Sequence, residues 1–432
     1  MENSLNSLAF TRLTQFKLRT ISACVLTLAF FASPSYAGYD EGLKASAKGD
    51  YATAMNEWRP LAESGHADAQ ARLGDLYVAG HGVNRDPIQA AIWYRKAAEQ
   101  GNVHAQTKFA FLNFVGNEVP KDLAQAAKWL QLAAGHGDSE AQGLLGLAHR
   151  FGIGVPKDEA QAEKWLQLAA DQGDVDGLFF LGDFYASGSG PRRDIDQAIS
   201  LFIRSANKGN VLAQDRLGRM YSKGEGVKQD YVEAAGWYKK AVAQGHKKSM
   251  AKLAIIYMGE GGVAKNIKEG KDLIRKLVEM GDAVGELLIG SFYADGTWVG
   301  DGKRDYVHAA EWWQRCAEKG NGGCQSRLGF LYMKGFGVIQ DLNRAEDWLT
   351  KAVRAGDRSA SEYLYQLGYL KLEEYDKRRE LEQPLDGLEY SGSARSGQEN
   401  CRNVTVTGSG IGIGTETMSA PQMGDSVVTR CD

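Results

Sequence analysis

A Leu-Gly pair, or a close variant of it, returns at a fixed interval along most of this 432-residue chain. The interval is 36 residues except for the last, which is 39. The second positions of the pairs are Gly74, Ala110, Gly146, Gly182, Gly218, Ala254, Gly290 and Gly329. Self-similarity at such a period is the signature of repeat architectures, so the pattern predicts one elongated repeat domain rather than two or three globular domains.

Each repeat encodes two helices. Leu73 and Tyr77 are four residues apart and share one helical face, while Gly74 lets a second helix approach closely. The sequence GHGV at 80–83 predicts a turn, after which Asp86 provides an N-cap and Pro87 the first helical position. The second helix then carries an apolar stripe with a tryptophan in six of the eight repeats, at Trp93, Trp129, Trp165, Trp237, Trp312 and Trp348.

One helical hairpin cannot bury both of its apolar faces, so neighbouring repeats must stack into a solenoid with a continuous core. The stretch ARLGDLYVAGHGVNRDPIQAAIWYRKAAEQGNVHA and its copies resemble the Sel-1-like repeats, relatives of the tetratricopeptide repeat, over roughly residues 39–375. The resemblance implies an all-α fold, a right-handed superhelical solenoid of about nine two-helix repeats. It also implies a non-enzymatic role as an adaptor, an envelope regulator or a host-directed binder.

The first 37 residues are predicted to be a signal peptide. An apolar run from Ile21 to Phe31 is followed by Ser35 and Ala37, small residues at the two positions that a signal peptidase reads. Cleavage after Ala37 would give a periplasmic or secreted protein. The apolar run is too short to span a bilayer, and the mature chain has no other candidate for an integral membrane segment.

The rest of the chain divides into a long solenoid and a short tail. The predicted boundaries are 38–383 for the solenoid (39–69 an N-terminal cap repeat, 361–383 a C-terminal cap helix), 384–400 for a polar linker and 401–432 for a C-terminal element. Two β-branched runs near Val404 and Val427 favour a small β-hairpin stapled by Cys401 and Cys431, with disorder as the alternative.

Cys316 and Cys324 take positions that small buried residues hold in other repeats. One lies on a second helix and the other opens the next first helix, so their side chains face each other across the Gly320 turn. Their C-x₇-C spacing is also that of the disulfide-rich branch of the family, and this resemblance implies a bridge. The even number of cysteines after leader removal fits an oxidising compartment. Two buried free thiols are the alternative.

The binding surface is predicted on the concave side, which the first helix of each hairpin lines in tetratricopeptide-like stacks. The positions two before, two after and five after the Leu73 register point into this groove. They hold many apolar side chains, which commonly mark a site for a protein or peptide partner. The predicted groove residues are Phe111, Phe114, Leu147, Phe179, Ile255, Met258, Leu287, Phe330 and Met333. The alternative is that tight coiling packs them against neighbouring first helices.

Other chemistries have weaker support. A formal net charge of −3 argues against a nucleic-acid footprint. The seven histidines form no metal-ligand motif, so neither a metal nor a cofactor is predicted, and the oligomeric state stays open. The alternative function is weak β-lactam binding or hydrolysis, because some disulfide-rich relatives are described so and Ser205 and Lys208 have S-x-x-K spacing. However, the repeat explains both residues, and no Lys-Thr-Gly or Ser-Asp-Asn partner accompanies them.

Overall fold

The computed structural model describes residues 34–381 except 117, 189–192, 260 and 262–265. The described residues form nineteen α-helices and no β-strand. In chain order they are α1 (Pro34–Ala47), α2 (Tyr51–Glu63), α3 (Ala67–Ala79), α4 (Pro87–Glu99), α5 (Val103–Val115), α6 (Leu123–Gly135), α7 (Ser139–Phe151), α8 (Glu159–Asp171), α9 (Val175–Ser187), α10 (Ile195–Asn207), α11 (Val211–Lys223), α12 (Tyr231–Ala243), α13 (Lys247–Met258), α14 (Ile267–Glu279), α15 (Ala283–Ala294), α16 (Tyr306–Glu318), α17 (Gly322–Lys334), α18 (Leu342–Arg354) and α19 (Ser359–Leu381).

The helices pair into hairpins, from α1 with α2 to α17 with α18, and α19 follows as a single helix. Within the described residues this gives nine pairs, which confirms the predicted all-α solenoid of about nine repeats. The right hand of the superhelix stays a prediction. Contacts divide the chain into two units, one up to Leu367 and one from Gly368 onward. The first contains all nine hairpins, and the described part of the second is the end of α19.

Local signals set the helix ends as the sequence predicts. Gly80 and Gly82 have φ values of 71° and 70°, a left-handed conformation that ends α3 and turns the chain. The Asp86 carboxylate accepts hydrogen bonds from the backbone N–H groups of Ile88 and Gln89, which caps α4. Turn and cap therefore place the second helix directly against the first.

The glycine of each Leu-Gly pair marks the closest approach within a hairpin. A Cβ added at Gly74 would lie 2.5 Å from the ring of Tyr94, and one added at Gly218 would lie 2.6 Å from the ring of Tyr238. Either distance is too short for a real contact, so a large buried side chain of the second helix needs glycine opposite it. The hairpin with Ala110 buries Leu130, a smaller partner, at the corresponding position.

In five of the described hairpins a buried glutamine donates a hydrogen bond to the preceding hairpin, and in three of these it also joins the two helices of its own hairpin. Gln70 Nε2 donates to the backbone carbonyl of Ala62, and Gln70 Oε1 accepts from Gln100 at 2.7 Å. The pairing recurs as Gln142 with Gln172 and Gln214 with Gln244. In α15 the buried residue is Glu286, and Lys319 Nζ lies 3.0 Å from its Oε1. An ion pair therefore replaces the amide pair, and both arrangements give the buried acceptor a partner.

First helices of successive repeats also contact one another directly, at α3 with α5, α7 with α9 and α11 with α13. Successive second helices of the described residues do not contact each other to this extent. In these three places the first helices are therefore closer together than the second helices are, as expected if they line the predicted concave side. We call the surface formed by α3, α5, α7, α9, α11, α13, α15 and α17 the inner face.

Cys316 and Cys324 are joined by a disulfide, as the sequence analysis expects. Their Cα atoms are 5.9 Å apart, and both side chains are buried between α16 and α17. The bond ties the end of one repeat to the start of the next.

Some predicted boundaries differ from the structure. The N-terminal cap hairpin ends with α2 at Glu63, and 67–69 already belong to α3, so the cap is shorter than the predicted 39–69. The C-terminal cap helix begins at Ser359, two residues before the predicted start at 361, and its described part runs to Leu381. Residues 34–37, assigned to the leader, form the first turn of α1. The remaining leader, the 384–400 linker, Cys401 and Cys431 lie outside the described residues and stay predictions.

We expect Gly218→Ala to lower the free energy of unfolding by about 1 to 3 kcal/mol, because the added methyl group overpacks the Tyr238 ring. Adding Tyr238→Leu should recover much of this loss, since the chain itself combines Ala110 with Leu130. Urea unfolding followed by circular dichroism measures both effects. An unchanged midpoint for Gly218→Ala would refute the close-approach argument.

Replacing Cys316 and Cys324 together with alanine should lower stability by about 2 to 3 kcal/mol, since the disulfide closes a short loop and restricts the unfolded chain. Thermal unfolding with and without reductant measures it: the reductant should affect the wild type only. Equal sensitivity of wild type and variant would contradict this role.

Candidate partner-binding face

The nine predicted groove residues fall into two groups. Six are half-buried and reach the surface: Phe111, Phe114, Phe179, Ile255, Leu287 and Phe330. Three are buried, with exposed fractions of 6%, 3% and 0%: Leu147, Met258 and Met333. The prediction that all nine line an open groove is therefore wrong for these three.

Core packing accounts for the burial of two of these three residues, Leu147 and Met258. Leu147 belongs to the apolar cluster that Leu166, Phe180 and Phe184 form between α7, α8 and α9. Met258 packs over Gly270, where an added Cβ would lie 3.2 Å from the methionine sulfur. Most other repeats have alanine at the Gly270 position, so this glycine gives Met258 room to turn inward. Met333 is fully enclosed.

Phe330 lies in a short row of aromatic rings at the C-terminal end of the inner face. Its ring centroid is 6.1 Å from that of Phe336 and 5.1 Å from that of Tyr363. Phe336 also stacks on Tyr306 at 5.2 Å and is 41% exposed. Sequence analysis missed Phe336, which occupies the variable position between the two turn glycines. Comparing that position across the repeats would have identified it.

Among the six half-buried groove residues, Phe179 lies on α9, near the middle of the inner face. Its ring centroid lies 5.6 Å from Phe180 and 5.7 Å from Phe202. Phe111 lies nearer the first repeats and lines a small cleft of about 30 Å³ with Val78 and Arg85. The half-buried aromatic side chains are thus anchored by the core and retain an accessible portion.

A polar cluster occupies the inner face between α3 and α5. Asp75 Oδ1 accepts a hydrogen bond from the Tyr94 hydroxyl at 2.8 Å and lies 2.8 Å from His104 Nε2. Arg72 Nη1 lies 3.2 Å from Asp75 Oδ2. Burial works to raise the pKa of Asp75, but the charges and hydrogen bonds of His104 and Arg72 outweigh it, so the pKa is lowered. Burial and the Asp75 charge raise the pKa of Tyr94 well above its usual range.

The candidate nucleophile of the alternative function is enclosed. Ser205 is fully buried, and its hydroxyl donates a 2.6 Å hydrogen bond to the backbone carbonyl of Val175. Such a hydroxyl joins the two helices of one repeat and is inaccessible to a substrate. The S-x-x-K spacing is therefore a product of the repeat.

Neither a metal site nor a membrane span is found among the described residues. No cluster of three or more His, Cys, Asp or Glu side chains could hold a metal ion. None of the helices between residues 34 and 381 combines the length and apolar content of a membrane span.

The stacked hairpins, with aromatic and charged side chains on their inner face, define a helical repeat protein of the kind that presents an extended contact surface. The Sel1 repeat model matches eight consecutive segments, so the chain belongs to the Sel1 repeat family. The matched residues are 67–102, 103–138, 139–174, 175–210, 211–246, 247–282, 283–321 and 323–357. Sel1 repeat proteins are protein-interaction scaffolds.

One solved Sel1 repeat structure agrees with this assignment. The chain is similar to a Sel1 repeat protein from Oxalobacter formigenes, with 28% identity over 82% of this chain and 99% of that chain, at a TM-score of 0.51. It is also similar to c5321, a protective antigen present in uropathogenic Escherichia coli strains displaying an SLR fold. That match has 31% identity over 77% of this chain and 80% of that chain, at a TM-score of 0.37. None of the curated proteins matches the chain.

We expect Asp75→Asn to lower the free energy of unfolding at neutral pH by about 1 to 3 kcal/mol, because Arg72, Tyr94 and His104 lose a charged acceptor. Because the folded-state pKa of Asp75 is lowered, its contribution is present above the unfolded pKa near 3.8 and disappears as pH falls through the folded value. Urea titrations from neutral to acidic pH should show that the difference in unfolding free energy between wild type and variant disappears as the pH falls. The exposed Asp347→Asn serves as the control. A gap that persists in acid would contradict the assignment.

Proposed function

We propose that this protein is an exported, non-enzymatic scaffold that binds a protein or peptide partner along its inner face. Its residence in the bacterial envelope or outside the cell, as an adaptor, regulator or host-directed binder, is part of the proposal. The observation that carries it is the set of half-buried aromatic side chains on first helices, with Phe111, Phe179 and Phe330 at three places along the face.

Aromatic residues of this kind suit recognition. Each ring is fixed on one side by core contacts, as the Phe202 contact of Phe179 illustrates, so little side-chain entropy is lost when a partner covers the other side. Rings that are preorganised in this way are typical of interface hot spots. Their spread over several repeats favours a helix or an extended segment as the bound element.

Export is supported by the leader-like sequence and by the disulfide. A buried cystine between two repeats persists in an oxidising compartment, whereas reducing compartments keep such thiols free. The absence of an enzymatic role is supported by Ser205, whose hydroxyl is committed to a backbone carbonyl. A flat nitrocefin assay with the purified chain is the expected result, and turnover that persists in Ser205→Ala would point to another site.

We expect Phe111→Asp and Phe330→Asp each to abolish capture of the same envelope protein by the mature chain. A charged carboxylate on either ring position would remove apolar contact area and introduce a group that the interface must desolvate. Affinity capture from envelope extract, followed by mass spectrometry, identifies the protein that both variants lose.

Ile88→Asp and Val232→Asp are the matched controls, because both side chains are exposed on second helices, away from the inner face. They should retain the captured protein. Circular dichroism must show that all four variants remain helical. Retention of the partner by the inner-face variants, or its loss in the controls, would refute the proposal.

A further inference from the structure

Positive charge on the inner face is concentrated on two neighbouring first helices. Helix α11 carries three cationic side chains and one acidic one, and α13 carries three lysines and no acidic residue. Together they have a formal net charge of +5 in a chain whose net charge is −3. The preceding first helix, α9, carries two aspartates and no cation. The sign of the charge on the inner face therefore changes between α9 and α11.

Cations on the earlier first helices are neutralised by neighbouring acids. The pairs, all within 3.2 Å, are Arg72 with Asp75, Lys108 with Glu140, and Arg150 with Asp183. In α11 and α13 the corresponding acidic positions hold cations: Arg219 takes the position of Asp75, and Lys248 that of Glu140. The one acid of α11, Asp215, accepts a 2.6 Å hydrogen bond from the hydroxyl of Ser249. The repeat therefore leaves Arg216, Arg219, Lys248 and Lys252 without such an acid, whereas Lys223 Nζ lies 3.6 Å from Glu225 Oε1.

Arg216 and Arg219 are half-buried, and the Nε atom of each is buried without a hydrogen-bond partner. Among the described residues, neither guanidinium forms an ion pair. Exposed Lys248 and Lys252 lie on the adjacent helix and are also without ion pairs to described residues. Because no described acid compensates the charge of either guanidinium, an external anion would find two uncompensated, half-buried cations here.

An apolar surface adjoins these cations. The Arg216 guanidinium carbon lies 5.9 Å from the centroid of the Phe202 ring, and the Phe179 ring lies 5.7 Å from the same centroid. Arg216 and half-buried Phe179 thus both contact the buried ring of Phe202. A ligand that contacts both Arg216 and Phe179 must combine negative charge with an apolar group.

We propose that Arg216, Arg219, Lys248 and Lys252, the basic cluster, bind an acidic peptide segment of the partner. The planar guanidinium groups match carboxylates in paired hydrogen bonds, and an apolar side chain of the segment packs against Phe179. Nucleic acid fits less well, because four cations neutralise little of a phosphate backbone and Phe179 packs edge-on with Phe180 rather than presenting a flat stacking platform. This inference rests on the proposed function and names the chemistry of its partner.

Fluorescence anisotropy with three probes tests the inference: a labelled peptide of alternating glutamate and phenylalanine, its glutamine counterpart, and an oligothymidylate. The glutamate peptide should bind the wild-type chain about tenfold or more tightly than the glutamine peptide, and added salt should weaken it. The double variant Arg216→Gln/Arg219→Gln should lose about tenfold or more of this affinity. Arg204→Gln/Lys276→Gln removes the same charge from second helices and should bind as wild type does.

Equal binding of the two peptides, no binding of the glutamate peptide, unchanged affinity of the arginine variant, or tighter binding of the oligothymidylate would each overturn the inference. The proposed function fails separately. If Phe111→Asp and Phe330→Asp still lose the captured envelope protein while the arginine variant retains it, the inner face binds a partner and only its acidic chemistry is wrong. If those phenylalanine variants retain the partner, the inner-face scaffold itself is wrong.

Discussion

The structure depends on one steric constraint, the absence of any side chain larger than a methyl group where the two helices of a hairpin cross. Glycine at that point lets a ring such as Tyr94 or Tyr238 pack directly against the backbone of the first helix. The second helix is thereby held close to the first, and the apolar stripe on its outer side remains available to pack against the next hairpin. Repetition of this contact, with the hydrogen bonds that buried glutamines donate to the preceding hairpin, produces a stack in which neighbouring first helices approach each other. The inner face is a consequence of this packing.

The inner face is uniform in backbone but varied in chemistry. Acids and cations are matched between α3 and α5, where Asp75 contacts Arg72, Tyr94 and His104, whereas Arg216 and Arg219 of α11 form no ion pair with a described residue. Half-buried aromatic side chains occur on both sides of that charge change, at Phe111, Phe179 and Phe330. Since the repeat core requires only the small and apolar positions, the inner-face positions are free to vary. A scaffold can in this way acquire a specific partner without altering its fold.

Much of the fold could be predicted from the sequence, because period, turn glycines and N-cap residues are local signals that packing reinforces. The Cys316–Cys324 contact also followed from repeat register. The binding face was harder to predict. Whether a side chain such as Met258 turns inward depends on the space that Gly270 leaves in another helix, which no pattern within one helix reveals. The unpaired Arg216 and Arg219 were missed for a related reason. They differ from Arg72 because the positions around them hold no acidic residue that could pair with them, and this is seen only when the repeats are compared.

The central claim is that a partner contacts first helices rather than second helices. Hydroxyl-radical footprinting of the chain, alone and in complex with the captured envelope protein, tests it directly, because aromatic side chains on both kinds of helix react. The account predicts reduced labelling of Phe111, Phe179 and Phe330 in the complex, with Trp93, Trp237 and Trp348 on second helices unchanged. Protection of the tryptophans with no change at the three phenylalanines would contradict it.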